Sequence, residues 1–403
     1  MKFLLAFDKY KGALPADEAV ATAAEIIRRN EQDAEIHEAP LTDGGEGFAG
    51  VLARALAGEV RMATVRGPRF DPVEARYAMV PLAHLGSDAR QRLRLPDLPE
   101  DAPVAFVEMA SASGYESLSD EDRDPFETTS YGTGELLLKA AADGASAIVL
   151  GIGGSATNDC GAGALEAMGI LFYDRSLQPV TDVVPAKFKE ISSVGSSSHK
   201  LTTFPPVRVA CDVSNPLLGK SGATRVYGPQ KGLRPGDADR LERSMRRMGT
   251  RILGLYGRDP ASWEEHLAEP GTGAAGGIGF ALRHALPDCR FVEGFGLVAD
   301  CLRLSGKAAA AEVVFTGEGR LDESSLSGKG PIALLRMIPE GTRVRFLAGA
   351  VDDKVAASLA DELSGLRLTV TRLSDPEEPL PRAMARTREA IAEAVAAIFG
   401  DTR

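Results

Sequence analysis

The chain has 403 residues, of which 44% are hydrophobic and 26% charged, and its net charge is −11. That length allows roughly two or three domains, the composition is that of a soluble globular protein, and the negative charge argues against a general nucleic-acid or anionic-membrane partner. The four cysteines form no CxxC pair and the five histidines no HExxH, which argues against a disulfide framework and a structural zinc. The opening MKFLLAFD is too short an apolar run for a signal segment. No run approaches the roughly 20 residues of a membrane span, so the expected location is the cytoplasm.

In chain order, residues 3–7 read as a strand and are followed directly by Asp8-Lys9-Tyr10-Lys11-Gly12. Pro15 suits a first helical position, and Val20, Ala23, Ala24 and Ile27 line one face of a helix running to Arg29. A short strand at 35–40 leads into Asp43-Gly44-Gly45-Glu46-Gly47 and a helix at 48–57. Strands are expected at 59–65, 73–82 and 104–109, with 86–102 a polar surface insertion. Gly132-Thr133-Gly134-Glu135 opens a helix to Ala142. Residues 147–150 then form a buried apolar strand that runs into Gly151, Gly153, Gly154, Ser155, Thr157, Asn158 and Asp159.

Beyond it, 162–168 reads as helix, 170–173 as strand, 192–200 as weakly structured and 207–211 as a strand followed by Asp212, Asn215 and Gly219. Residues 227–232 form a loop and 236–256 a long basic helix. The glycine-rich 271–279 runs into a helix to Ala285, and 297–304 is helical. A strand at 312–315 precedes Thr316-Gly317-Glu318-Gly319-Arg320-Leu321-Asp322, and an amphipathic helix covers 381–399.

This alternation predicts an α/β protein with mainly parallel sheets. In such sheets ligands bind past the carboxyl ends of strands. The segments 8–12, 43–47, 151–159, 212–219 and 317–322 all take that position, and each combines glycine with acid, amide or lysine. Together they predict one composite site. Phosphoryl transfer uses such parts: carboxylates for Mg²⁺, glycine amides and lysines for phosphates, and a carboxylate that orients the attacking hydroxyl. No Walker A motif is present, because Glu323-Ser324 stands where the glycine before Ser-Leu-Ser-Gly-Lys is required. An NAD(P)-dependent dehydrogenase of a small hydroxy acid competes: Gly151-x-Gly153-x-x-Ala156 follows a strand, with Asp174 at the end of the next. It leaves 43–47 and 317–322 unexplained.

The blocks at 8–12, 42–47, 131–136, 151–159, 211–219, 228–232, 273–277 and 316–320 stand in the order found in the bacterial type I glycerate kinase family, which the chain resembles over residues 2–349. The resemblance implies ATP- and Mg²⁺-dependent phosphorylation of D-glycerate to 2-phosphoglycerate, with 3-phosphoglycerate as the alternative product. It also implies a flavodoxin-like α/β domain inserted into a restriction-endonuclease-like one, with the active site in the interdomain cleft. On that plan residues 1–66 and 295–403 form the discontinuous domain and 67–294 the insert. A homodimer stays open. Two departures stand out: the family's first block often reads Asp-Ser-Phe-Lys-Gly where this chain has Lys9 and Tyr10, and Cys160 sits where glycine is usual.

Roles follow from residue type and position. Asp212, Asp159 and Lys11 are the candidate catalytic groups, and Lys9, Asn215, Glu318 and Arg320 the candidate substrate contacts. Gly151, Gly153, Gly154, Ser155, Thr157 and Asn158 would cradle the nucleotide, with Lys231 and Lys329 on its phosphates. Asp43, Asp159 and Asp322 are the candidate Mg²⁺ ligands. The bland alternatives are that Asp159 and Asp212 are caps, since Asp often starts helices and turns, and that Glu46 answers a helix dipole. If they are caps, Asp→Asn at either position should be nearly harmless. The cysteines read as small core residues.

Overall fold

The computed structural model describes residues 1–196, 199–323, 325–327 and 330–400. In chain order its strands are Lys2–Phe7 (β1), Glu35–Glu38 (β2), Glu59–Arg66 (β3), Pro72–Pro81 (β4), Pro103–Glu108 (β5), Ala147–Gly151 (β6), Ile170–Tyr173 (β7), Ser193–Ser196 (β8), Val207–Ala210 (β9), Cys289–Val292 (β10), Val313–Leu321 (β11), Arg343–Val351 (β12) and Arg367–Arg372 (β13). The chain divides into two compact units, Met1–Asp43 with Val298–Arg403, and Gly44–Leu297. The fold is therefore mixed α/β with mainly parallel sheets.

The terminal unit holds a five-stranded sheet in the order β13-β12-β11-β1-β2, parallel throughout. Its helix Ala16–Asn30 forms for the reasons legible in the sequence. Pro15 precedes it, Asp17 and Glu18 occupy the first turn, and Arg28 and Arg29 the last, each matched to the helix dipole. Val20, Ala23, Ala24 and Ile27 recur at helical spacing and are buried with Phe3, Leu5, Phe7 and Phe315 of the sheet and Ile391 and Val395 of the helix Thr387–Gly400.

The middle unit holds a six-stranded sheet in the order β10-β9-β6-β5-β4-β3. Its β5, β6, β9 and β10 run parallel, and β4 and β3 continue it antiparallel. The pair β7-β8 forms a separate antiparallel ribbon. Residues 44–66, expected with the termini, belong here. The cause is pairing: β3 runs along the whole of β4 from Glu59↔Met79 to Arg66↔Pro72. Residues 295–297 likewise fall in this unit.

Three local expectations are corrected. Residues 86–102 contain a helix, Ser87–Leu93, because Ala89 and Leu93 at i, i+4 give it a buried stripe. The segment 192–200 contributes β8, which pairs with β7 from Tyr173↔Ser193 to Ile170↔Ser196; its residues 197 and 198 lie outside the described residues. Glu318 and Arg320 do not stand on a loop. Strand β11 runs through them to Leu321, paired with β12 as far as Val351. The glycines and charges of that stretch hide a strand that pairing with its neighbour sustains.

The segment after β6 is wedged between two glycine pairs of the same unit. On one side the Gly153 N–H donates to the Gly44 carbonyl at 3.1 Å, and a Cβ on Gly153 would lie 2.7 Å from the Gly45 nitrogen. On the other, the Cys160 N–H donates to the Gly276 carbonyl at 2.8 Å. Gly276 has φ +69°, and a Cβ there would lie 2.1 Å from the Thr157 oxygen. The sequence assigned the glycines after β6 to an approaching anion; for Gly151 and Gly153 the closest approach is made by the protein's own backbone. Cys160 itself takes φ 56°, a left-handed conformation uncommon for a side-chain-bearing residue, which accounts for glycine as the usual occupant.

Gly276→Ala should therefore lower the thermal midpoint strongly, by the equivalent of about 3 kcal/mol or more. Gly257→Ala, at φ +65° with nothing within 4 Å of its Cβ, should cost only about 1 kcal/mol. Equal shifts for the two in thermal unfolding of the full chain would refute the wedge.

Candidate active site

In the terminal unit, β1 and β11 run side by side with Phe7 opposite Gly317, and the Asp8 N–H donates to the Gly317 carbonyl at 2.9 Å. This register sets Asp8 next to Glu318. Asp8 accepts the Lys9 N–H at 2.7 Å, and Lys9 Nζ reaches Asp43 at 3.3 Å. Burial pushes the Asp8 carboxyl up to about 6; Lys9 opposes that shift and the charge of Asp43 adds to it. Glu318 rises to about 7, first through burial, against a hydrogen bond from Ser325 and with the charges of Asp8 and Asp322 behind it. Among the described residues Glu318 Oε1 is buried with no hydrogen-bond partner. Two neighbouring carboxyls are thus poised to hold or release a proton near neutral pH. Tyr10 lies beneath them, its hydroxyl donating to the Leu347 carbonyl at 2.9 Å.

Lys11 and Arg320 are exposed, and Asp322 is half-buried after the end of β11. Lys329 lies outside the described residues.

In the middle unit the buried groups past β6 fall into two kinds. Asp159 is 0% exposed. Its Oδ2 accepts from the Ser130 N–H at 2.8 Å, the Ser130 hydroxyl at 2.7 Å and the Gly163 N–H at 3.2 Å, and its Oδ1 accepts from the Gly161 N–H at 3.1 Å. Ser130 Oγ in turn accepts from the Ala164 N–H at 3.0 Å. The pair thus satisfies the opening N–H groups of the helix Ala162–Ala167. Burial raises the Asp159 carboxyl, and these hydrogen bonds hold it down. With four donors engaged and no solvent exposure, Asp159 is an anchor and not a site for a metal or a substrate hydroxyl. Ser130, which the sequence reading passed over, completes it; its hint was a cap-type residue just before Tyr131-Gly132-Thr133-Gly134.

Asp212 also turns inward. Its Oδ1 accepts from the Gly294 N–H at 2.7 Å, and both oxygens accept from the Phe295 N–H at 3.1 and 3.0 Å, which caps the helix Gly294–Leu302. Asn215 donates to the Ser221 carbonyl at 2.7 Å and accepts from the Tyr227 hydroxyl at 2.6 Å. Glu108, at the end of β5, accepts the Ala49 N–H at 3.1 Å at the start of the helix Phe48–Ala55, with Arg76 3.4 Å from its other oxygen. Glu46 is exposed.

Lys231 is different. It is 2% exposed, and its Nζ donates to Ser155 Oγ at 2.9 Å and to the Thr157 carbonyl at 2.7 Å. Burial pushes it down to about 7, with Asp159 pulling the other way. Beside it Asn158, also fully buried, donates to Thr224 Oγ1 at 2.9 Å, and its Oδ1 has no hydrogen-bond partner among the described residues. Gly154, at φ +70°, makes the turn ahead of Ser155.

Asp43 and Asp322 belong to one unit and Asp159 to the other, and among the described residues no three His, Cys, Asp or Glu side chains gather as a metal cluster. The dinucleotide fingerprint also fails its structural test. The helix after β6 starts only at Ala162, and Asp174 accepts from the Ser176 and Gln178 N–H groups in a tight turn. No helix among the described residues is long and apolar enough to cross a membrane.

Raised carboxyls at Asp8, just past β1, and Glu318, on β11, and a buried lysine on Ser155 and Thr157 after β6 are parts that phosphoryl transfer uses, and the family match makes the protein an enzyme of the kinase class. The chain belongs to the glycerate kinase family, whose sequence model matches residues 3–402. It is 33% identical over 379 residues to the glycerate kinase of Halalkalibacterium halodurans, covering 94% of this chain and 93% of that one. To the glycerate 2-kinase of Escherichia coli it is 35% identical, with 88% and 87% covered. A crystal structure from Salmonella typhimurium LT2, provisionally named glycerate kinase 2, superposes with a TM-score of 0.68 at 33% identity and covers 100% of this chain and 99% of that one. The dehydrogenase alternative is set aside by this membership.

Asp159→Asn should destabilise the protein by about 3 kcal/mol, because an amide nitrogen would face backbone donors in a buried site. Asp212→Asn keeps an accepting oxygen at a half-buried helix start and should cost about 1 kcal/mol or less. An unchanged thermal midpoint in Asp159→Asn would overturn the anchoring role; the earlier expectation that a capping Asp tolerates Asn holds only where the carboxylate is not enclosed by donors.

Proposed function

We propose that the protein transfers the terminal phosphoryl group of ATP to the 2-hydroxyl of D-glycerate, giving 2-phosphoglycerate. The observation that carries this reading is the poised pair of Asp8, just past β1, and Glu318, on the neighbouring β11. An attacking hydroxyl must lose its proton, and a carboxyl raised to about 7 accepts it near physiological pH. Glu318 takes the base role, in place of Asp212 and Asp159, whose carboxylates are engaged by backbone donors. Lys11, exposed past β1, and Arg320, exposed on β11, suit the glycerate carboxylate. Lys9, paired with Asp43, sets the local charge balance.

Mg²⁺ fits the chemistry of Asp8 and Asp43: the charge of Asp43 raises the proton affinity of Asp8, a strain that a cation would relieve. One or two carboxylates plus phosphate oxygens make an ordinary Mg²⁺ site, and the ion, when bound, neutralises charge on the transferring phosphoryl group. Ser155, Lys231 and the turn at Gly154 are assigned to the nucleotide phosphates, since a buried lysine without a carboxylate partner favours an anion. The name of the Escherichia coli relative supports the 2-hydroxyl as acceptor. The net charge of −11 supports small-molecule partners over polyanions, and the dependence on ATP supports a cytoplasmic location.

Incubation of the purified protein with D-glycerate and MgATP, with the product resolved by ³¹P NMR, should give ADP and 2-phosphoglycerate. Formation of 3-phosphoglycerate alone would overturn the regiochemistry, and absence of any phosphoglycerate the reaction. In the same assay kcat/KM should rise with pH through about 7, because Glu318 must be unprotonated to act. Glu318→Gln should lower kcat by about 10²-fold or more and remove that limb of the profile.

A further inference from the structure

Lys231 stands in an arrangement that its role as a phosphate contact does not by itself explain. It is 2% exposed, and its two acceptors, Ser155 Oγ at 2.9 Å and the Thr157 carbonyl at 2.7 Å, are both neutral. None of the ion pairs among the described residues includes it. A lone ammonium buried among neutral dipoles is costly, and an amine in that position sheds its proton readily. A neutral amine still satisfies the same contacts: it donates one N–H to the Thr157 carbonyl and accepts the Ser155 hydroxyl proton with its lone pair.

The charged and titratable groups on the segments packed around Lys231 do not supply a counter-charge in contact with it. Asp159, on the turn after β6, acts through space, and its oxygens are held by Ser130, Gly161 and Gly163. Arg225, on the helix Ala223–Tyr227, is paired with Asp239 and Glu242 at 2.6 and 2.7 Å. Tyr227 donates to Asn215 at 2.6 Å. Arg123, whose carbonyl packs against Gly232, adds positive charge and is paired with Asp120 at 2.5 Å.

We propose that Ser155, Lys231 and Thr157 form a proton-linked phosphate receptor: Lys231 is largely uncharged in the free enzyme and takes up one proton when the phosphate of a nucleotide binds there. This rests on the assignment of the nucleotide phosphates to this turn. The step is an acid–base one only. Solvent supplies H⁺, the amine becomes an ammonium, and no bond to phosphorus forms or breaks. The anion is the missing counter-charge, and by linkage it raises the lysine's proton affinity by as much as the proton raises affinity for the anion. A site built this way stays neutral, and compact, until its anion arrives. Burial pushes Lys231 down to about 7, which puts the uptake in the range just above neutrality.

The test is isothermal calorimetry of MgADP binding to the full-length protein, without glycerate, at pH 8 in two buffers of different ionisation enthalpy. The terminal phosphate of MgADP is already ionised there, so any proton bound enters the protein. The expected result is uptake of between about half and one proton per site, with affinity falling by up to about tenfold per pH unit above 8. Lys231→Arg, permanently charged, should abolish the uptake, whereas Glu318→Gln should leave it in place. Binding with buffer-independent heat overturns the proposal while leaving the phosphorylation of glycerate standing. Uptake that survives in Lys231→Arg, or that disappears in Glu318→Gln, assigns the proton elsewhere and overturns it too. The wild-type measurement decides the matter even if Lys231→Arg does not fold. Failure of the product assay described above would instead overturn the reading on which this one rests.

Discussion

The enclosed carboxylate of Asp159 is the interaction on which the middle unit's functional turn depends. Four donors converge on it, two of them from Ser130 at the start of the helix Tyr131–Ala142 and two from Gly161 and Gly163, just before and inside the helix Ala162–Ala167. A buried charge is tolerable only when its lone pairs are filled in this way. The cost of leaving any of them open fixes the path of residues 151–163. The glycine pairs at 44–45 and 276–277 then close on that path: a Cβ on Gly153 would lie 2.7 Å from the Gly45 nitrogen, one on Gly276 2.1 Å from the Thr157 oxygen, and one on Gly277 2.9 Å from the Cys160 Cα. Ser155 and Thr157 are carried into position by this wedge, and Lys231 donates its two hydrogen bonds to them.

The terminal unit solves a different problem. Its sheet is parallel throughout, so the end of β1 lies beside Gly317 of β11, and Asp8, just past β1, comes next to Glu318 on that strand. There the carboxyls are not filled by donors. Asp8 has a single backbone N–H and the pressure of Asp43, and Glu318 has a buried oxygen without a partner among the described residues. Their charged forms are destabilised and their proton affinity rises. The contrast with Asp159 lies in the partners: burial raises all three carboxyls, but four donors oppose it at Asp159, whereas neighbouring acids add to it at Asp8 and Glu318.

Cys160 shows how the two demands meet in one residue. Its left-handed backbone at φ 56° is set by the turn between Asp159 and Gly161. Its thiol is buried, and burial holds it well above its ordinary titration range, so it is inert. The family's usual glycine would relieve the backbone; the cysteine fills the space beneath it. Lys9 and Tyr10, the other departures, are absorbed by Asp43 and by the Leu347 carbonyl.

The sequence by itself determined the mainly parallel α/β class and the family. Those features are written in local pattern: apolar runs, the glycines that end them, and the order of the blocks. It pointed to acids and lysines that a site could draw on, but not to their roles. Asp159 and Asp212 were read as metal and base because a strand-end Asp looks the same whether or not donors surround it. Their donors come from Ser130 and from Gly294 and Phe295, and nothing local to either Asp announces them. Asp8 was counted among the acids without a role, since the neighbour that matters to it, Glu318, lies across a sheet pairing that only the fold creates. Strand β11 itself extended through a glycine- and charge-rich stretch because β12 paired with it. Protonation, like strand extent here, depends on burial and on partners far away in the chain. Only the tertiary structure fixes those, because a side chain's solvation is a property of everything packed around it and not of its own segment.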